Sequence, residues 1–277
     1  MPEVRIVVPD QMEKALDALI RAGFAGNKAE LVRGALIQYL STLPTDLSKE
    51  YDLNTIFSPD GRILQIEYAI EATKRGRLAV GIRTNEGIVI CKNIQPRYSF
   101  HTQKSYFREI KYITDRIAVS FAGLTKDIRL VLRKALNYVE TIEKGKEIHI
   151  GHLVEELGFF VHSHTLKKDL RVLGGSLLIG GLDLNNIPRL FVIEPSGSEM
   201  DVKYFAMGLE GEKALEILEN GYNESLSLKE TIMIAMKATI QEKKDLENVL
   251  IDVIDIKSRK FEELALEEKK KLWDKLD

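Results

Sequence analysis

The 277-residue chain holds a single cysteine, Cys91, and a formal net charge of only -2. One cysteine closes no intrachain disulfide and builds no cysteine metal cluster. Set in the apolar run GIVIC, it fits a reducing cytoplasm. A net charge this small supplies no whole-molecule field to draw the chain onto nucleic acid or an anionic membrane, so such a partner needs a local patch. No apolar run approaches the ~18 residues of a membrane span. Met1 leads into an alternating segment rather than a basic start and an apolar core, which argues against secretion. What the chain does have is core: 44% apolar against 30% charged residues, the balance of a globular protein. Its length suggests one large domain with a small one.

The small domain comes first. Val4, Ile6 and Val8 alternate with Glu3, Arg5 and Val7, the period-two pattern of a strand with one buried face, and Pro9 ends it. Asp10 is placed to cap a helix whose stripe is Met12, Ala15, Leu16, Leu19 and Ile20, with Gly23 as its stop. Asn27 and Glu30 read as a capping box for a second helix, which presents Val32, Ala35, Leu36, Tyr39 and Leu40 before STLP breaks it. One strand and two helices in about 40 residues cannot cover their own apolar faces, so a partner is implied.

This segment resembles the ribbon-helix-helix family, a βαα module whose two chains pair their strands into a ribbon able to enter the major groove. The resemblance implies a pairing module over residues 1–44, a linker over 45–50, and Glu3, Arg5 and Val7 as the DNA-facing positions. Residues 1–44 carry five basic and five acidic side chains, and the reading face includes a glutamate. Phosphate neutralisation supplies most non-specific affinity, so such a module suits assembly better than DNA binding.

From residue 51 the pattern changes. Pro59, Asp60 and Gly61 form a turn, and Ile63, Ile66, Tyr68 and Ala69 open an amphipathic helix. Strands are expected at 78–82 and 87–91, a strand pair within 112–121, helices over 127–145 and 151–168, and strands at 176–180 and 189–193. Helices at 210–222 and 228–243 and a strand at 249–256 follow. The run Glu267 to Lys271, with Leu266, Leu272 and Leu276, reads as a solvated C-terminal helix with one apolar stripe. Grouped strands and paired helices suggest an α+β layered sandwich.

In FSPDGRILQIEYAIEA, residues Phe57 to Gly61, Arg62, Gln65, Glu67, Tyr68 and Ala69 carry a signature that is similar to that of proteasome alpha-type subunits. The likeness continues through KRG, AVGI, Gly123-Leu124 with Asp127 and Arg129, GGSLLIGGLD and EPSG, and spans 51 to about 276. It implies the four-layer αββα sandwich of the N-terminal-nucleophile hydrolases over residues 51–277, assembled as stacked rings with other proteasome-like subunits.

The catalytic relatives use a threonine freed by cleavage at a Gly-Thr bond, its amine and hydroxyl acting together. This sequence has no Gly-Thr dipeptide, and Arg77 matches the threonine. The resemblance therefore implies a structural subunit that controls access to a protease it does not itself catalyse. The catalytic lysine aligns with Glu109, or with Lys111 if nearby gaps shift. Serine after glycine at Ser176, and Ser198, are remote alternatives as nucleophiles, since both lie inside the chain. His149 with His152 and His162 with His164 lack the carboxylate or cysteine pattern of a metal site, so no metal or cofactor is expected. Gly174-Gly175 and Gly180-Gly181 lack the spacing of a nucleotide loop and suit close sheet packing.

The resemblance also implies a gate-like cluster of Tyr51, Asp52, Pro59 and Tyr68, although the spacing from Tyr51 to Pro59 is one residue shorter than usual and a folded module replaces the gating tail. In the family's pocket between subunits a lysine pairs with an activator's C-terminal carboxylate. Here Glu109 reverses that charge, which would weaken such docking. The second function class is a DNA-binding regulator with the large domain as its oligomerisation platform.

Overall fold

A computed structural model describes residues 7–42, 52–53, 55–94, 108–142, 148–240 and 242–276. The chain divides into two compact units, Met1–Leu64 and Gln65–Asp277.

In the first unit, α1 (Asp10–Arg21) and α2 (Lys28–Thr42) form as their apolar spacing predicts. Of the expected strand, Glu3, Val4, Arg5 and Ile6 lie outside the described residues, and residues 7–9 carry no regular structure. The expected cap differs. Pro9 is the N-cap, its carbonyl accepting from the Met12 and Glu13 amides at 2.9 and 3.0 Å. Asp10 is thus the first helical residue, where its charge favours the helix dipole rather than satisfying an amide. Gly23, at φ +84°, closes α1. The Phe24 amide reaches Leu19 O and the Gly23 amide Ile20 O, a Schellman arrangement. The capping box of α2 is half formed: Asn27 Oδ1 accepts from the Glu30 amide at 2.9 Å, but Glu30 Oε2 takes the Gly26 amide instead of that of Asn27. Lys28 Nζ lies 2.8 Å from Glu13 and 3.0 Å from Asp17, joining the two helices.

The second unit has two five-stranded antiparallel sheets. One runs in the order β10 (Phe261–Glu263), β9 (Val249–Asp255), β2 (Gly87–Asn93), β1 (Ala79–Thr84), β8 (Tyr204–Met207). The other runs β3 (Lys111–Thr114), β4 (Ile117–Gly123), β5 (Gly175–Leu182), β6 (Pro188–Ile193), β7 (Glu199–Asp201). Alternation along each strand divides the apolar residues between two sides. Ile88 and Ile90 join Ala118, Leu178 and Val192 between the sheets. Val89 and Cys91 face the opposite way, into a layer with α6 (Gly211–Gly221) and α7 (Leu228–Thr239). Val119, Leu177 and Ile179 pack likewise on α4 (Thr125–Thr141) and α5 (Ile150–Thr165). Helices, sheet, sheet and helices therefore stack as four layers around three apolar seams.

The glycine pairs serve this packing. A Cβ at Gly181 would come within 2.6 Å of Arg116 O, and one at Gly175 within 2.9 Å of Ala122 O.

Several boundaries depart from the expected ones. The helix expected to reach residue 243 ends at Thr239, whose hydroxyl bonds back to Ala235 O at 2.7 Å. Buried Ile240 turns extended, and a 3-10 helix, Lys243–Asn248, follows. β7, β8 and β10 were not legible, being only three or four residues long. The C-terminal helix α8 (Leu266–Trp273) is not wholly solvated: Lys269 is buried and its ammonium donates to Val249 O at 2.6 Å. Among the described residues no helix is long and apolar enough to cross a membrane.

Candidate functional site

At one end of the sandwich, α3 (Leu64–Lys74) gives way to the short link Arg75-Gly76-Arg77 that enters β1. This link lies hard against the end of β4. A Cβ on Gly76 would sit 2.1 Å from the Gly123 amide nitrogen, so only glycine allows that approach. Gly123 itself adopts φ +112° beneath the Gly174 carbonyl. The two glycines bring the start of β1 and the end of β4 together.

Around this junction is a polar pocket of about 190 Å³ lined by Arg75, Gly76, Arg77, Lys92, Glu109, Phe121, Gly123 and Thr125. Arg77 and Glu109, the residues matched to the catalytic threonine and lysine, meet here: Arg77 Nη1 lies 3.2 Å from Glu109 Oε1. Each is where the other neutralises it. Lys111 is on β3 and is not part of this wall.

Lys92 was missed from sequence. It shares strand parity with Ile88 and Ile90, so its side chain enters the inter-sheet layer. It is 1% exposed. Its Nζ donates to Arg77 O at 2.8 Å and to Phe121 O, and lies 5.1 Å from the Phe121 ring centre. Its pKa is pulled down to about 7, by burial above all, with Glu109 opposing the shift and Arg77 adding to it. The available signal was parity: a lysine at the third inward position of GIVICKN is held in the core unless it reaches a polar edge.

A second polar anchor lies beyond the pocket. Arg171 grips Asp127 with two bonds of 2.7 Å, and the Gly174 amide donates to Asp127 Oδ2 at 2.8 Å. Burial alone would raise the Asp127 pKa, but these bonds hold it below the usual carboxylate range. The anchor fixes the Gly174 turn that covers Gly123.

The other sequence candidates are not among the residues lining this pocket. Of the gate-like cluster, Tyr51 lies outside the described residues. Asp52 is half-buried and Pro59 exposed, both in the first unit, while Tyr68 is on α3 in the second and is 53% exposed. The Pro59 turn forms as read: Ser58 Oγ donates to Asp60 Oδ1 at 2.5 Å and accepts from the Arg62 amide at 3.1 Å. Of the DNA-facing set, Glu3 and Arg5 lie outside the described residues and Val7 is exposed. Buried Ser176 meets the Thr73 hydroxyl, not a base, at 3.4 Å. Ser198 lies in the turn between β6 and β7. His149 stacks on His152 with ring centres 4.4 Å apart, and His162 bonds Ser196 O. Among the described residues no group of three His, Cys, Asp or Glu is placed to hold a metal ion. Cys91 is buried, and its thiol pKa is pushed up to about 12 by desolvation.

Comparison with known proteins decides the family. The family model for proteasome subunits matches residues 73–256, and the model for the N-terminal signature of A-type proteasome subunits matches 51–72. The chain belongs to the proteasome subunit family. It is 33% identical to the proteasome alpha subunit of Methanocaldococcus jannaschii over 80% of this chain and 86% of that protein. It is 33% identical to the proteasome alpha subunit of Pyrococcus horikoshii over 77% and 83%. The corresponding values for Sulfolobus acidocaldarius are 31%, 80% and 94%. Within this proteasome family the chain is of the non-catalytic, structural alpha type. Arg77, which the resemblance matches to the nucleophilic threonine, is engaged with Glu109.

Proposed function

We propose that this chain is a divergent alpha-type subunit that forms or modifies a ring in the cytoplasm and so controls entry to a compartment whose peptide-cleaving groups belong to other subunits. The observation that carries this reading is the alpha signature at 51–72 running directly into a family match at 73–256. The partners on this reading are further copies of the chain and other proteasome-type subunits.

The Glu109 pocket is where the chain would differ from ordinary alpha subunits. A carboxylate already paired with Arg77 offers no cation to an incoming C-terminal carboxylate, so docking of that kind is weakened. On this reading the family resemblance, from sequence alone, marks Tyr51, Asp52, Pro59 and Tyr68 as gate-like residues.

The N-terminal unit serves pairing, as its ribbon-helix-helix resemblance implies. α1 has no buried residue, and Met12, Phe24, Leu36 and Tyr39 are all exposed. Two helices that bury so little do not hold together alone, and a second copy donating the same strand and helix faces is the occupant their self-complementary pattern fits. DNA binding is not carried forward, because the neutral charge of residues 1–44 gives it no electrostatic basis.

Native mass measurement tests the reading directly. The purified chain, alone and after co-expression with a catalytic beta-type partner, should give an assembly of several copies that binds this partner. If the chain stays monomeric and fails to bind the partner in both conditions, the proposal is overturned.

A further inference from the structure

The pocket at the mouth of the sandwich contains a nitrogen that the ring reading does not use. Lys92 Nζ is held by two carbonyl oxygens, those of Arg77 and Phe121. A neutral amine has two N–H groups and one lone pair, so these two acceptors use both protons and leave the lone pair uncommitted. The walls around it carry Arg75 and Arg77 against the single acid Glu109, and Thr125 opens the 17-residue helix α4. Arg77 is paired with Glu109, so these walls carry one cation in excess, and a new negative charge made at Lys92 would meet that excess and a helix N-terminus. The cavity, at about 190 Å³, is several times the ~30 Å³ of one water molecule, so a three-atom electrophile has room.

We propose that Lys92 is a carbon dioxide site: its amine adds to CO2 to form a carbamate whose carboxylate faces Arg75 and Arg77. The nitrogen lone pair forms the C–N bond, one C=O π pair moves onto oxygen, and one N–H proton leaves to solvent through the open pocket. The balance is amine plus CO2 giving carbamate anion plus a proton, with no oxidant or reductant. The carbamate nitrogen keeps one N–H for one of the two carbonyls. A neutral imine would keep none, and a protonated one would place a cation beside Arg75 and Arg77, so CO2 fits this site better than an aldehyde. The reaction replaces a neutral or cationic group by an anion beside Glu109, changing the sign of the pocket floor in response to dissolved CO2.

Protonation state separates Lys92 from the other lysines. With its pKa near 7, most Lys92 is neutral amine at pH 8, whereas an ordinary lysine, with a pKa of about 10.4, is less than about 1% neutral. The charged groups facing it act in opposite directions, Arg77 favouring the amine and Glu109 the ammonium.

The test is covalent trapping on the full-length protein. Incubation with bicarbonate at pH 8, alkylation of carbamates with triethyloxonium, and peptide mass spectrometry should place the ethyl carbamate on Lys92. Its occupancy should exceed that of exposed lysines on the order of 100-fold. The signal should follow the bicarbonate concentration, rise as pH passes 7, and vanish in Lys92→Arg. Arg77→Gln should lower it several-fold and Glu109→Gln should raise it. Labelling of Lys92 no greater than that of surface lysines in the unmodified protein overturns the proposal, whatever the variants do. Labelling that persists unchanged in Arg77→Gln and Glu109→Gln removes the pocket from the explanation and also overturns it.

Discussion

Arg77 presents both its ends to the same pocket: its guanidinium pairs with Glu109 at 3.2 Å, while its carbonyl oxygen accepts from Lys92 at 2.8 Å. Exchange of the side chain removes the ion pair but leaves the backbone bond to Lys92 and the continuous chain. Arg77→Thr should therefore yield no peptide hydrolysis above that of the parent chain in a fluorogenic peptide assay. The threonine would sit within a continuous chain without a free α-amine, and Glu109 is not a base of the lysine kind. Its stability cost should be about 1 kcal/mol or less, because the ion pair is partly exposed. Measurable turnover would show that the junction tolerates an internal nucleophile.

Lys92 should make stability depend on pH. Its folded pKa, about 7, lies below the ordinary 10.5, so between those values the unfolded chain binds more protons than the folded one. Stability therefore rises with pH across that window, and the full penalty, on the order of 5 kcal/mol, is present below pH 7. Lys92→Met lacks this titration. The stability of Lys92→Met minus that of the parent should shrink steadily from pH 7 to pH 10, read as denaturant midpoints. A constant difference would mean that Lys92 keeps its proton throughout.

Asp127 should act in the opposite pH range. Its folded pKa is depressed, so its contribution is present above the ordinary carboxylate value and is lost as pH falls through the folded pKa. Asp127→Asn keeps an acceptor for the Gly174 amide but loses the charged fork with Arg171. It should cost about 1 to 2 kcal/mol at neutral pH, and progressively less below pH 4. Urea unfolding at pH 7 and pH 3 measures both quantities.

Removal of residues 1–44 should change assembly and not folding of the sandwich. The three apolar seams all lie in the second unit, so the truncated chain should keep its cooperative melt. Its assembly should contain fewer copies than that of the full chain, because pairing by the first unit is lost. Equal masses by native mass spectrometry would show that the N-terminal unit does not direct assembly.

The sequence by itself determined the layers and the family. Continuous apolar runs such as GIVIC and GSLLIGGL specify strands buried on both faces, and the helices expected over 127–145 and 151–168 form as Thr125–Thr141 and Ile150–Thr165. The signature around Pro59 is local: a turn and a helix start need only adjacent residues, so Ser58, Asp60 and Gly61 could be read directly. Short β7, β8 and β10 exist because neighbouring strands supply their hydrogen bonds, a partner that no window of sequence contains. The pocket is non-local in the same way. Arg77 and Glu109 are 32 positions apart, and Lys92 reaches Phe121 across 29. Only the stacking of two sheets, with glycines 76 and 123 allowing the backbones to touch, turned a charge reversal and an ordinary-looking lysine into one desolvated site.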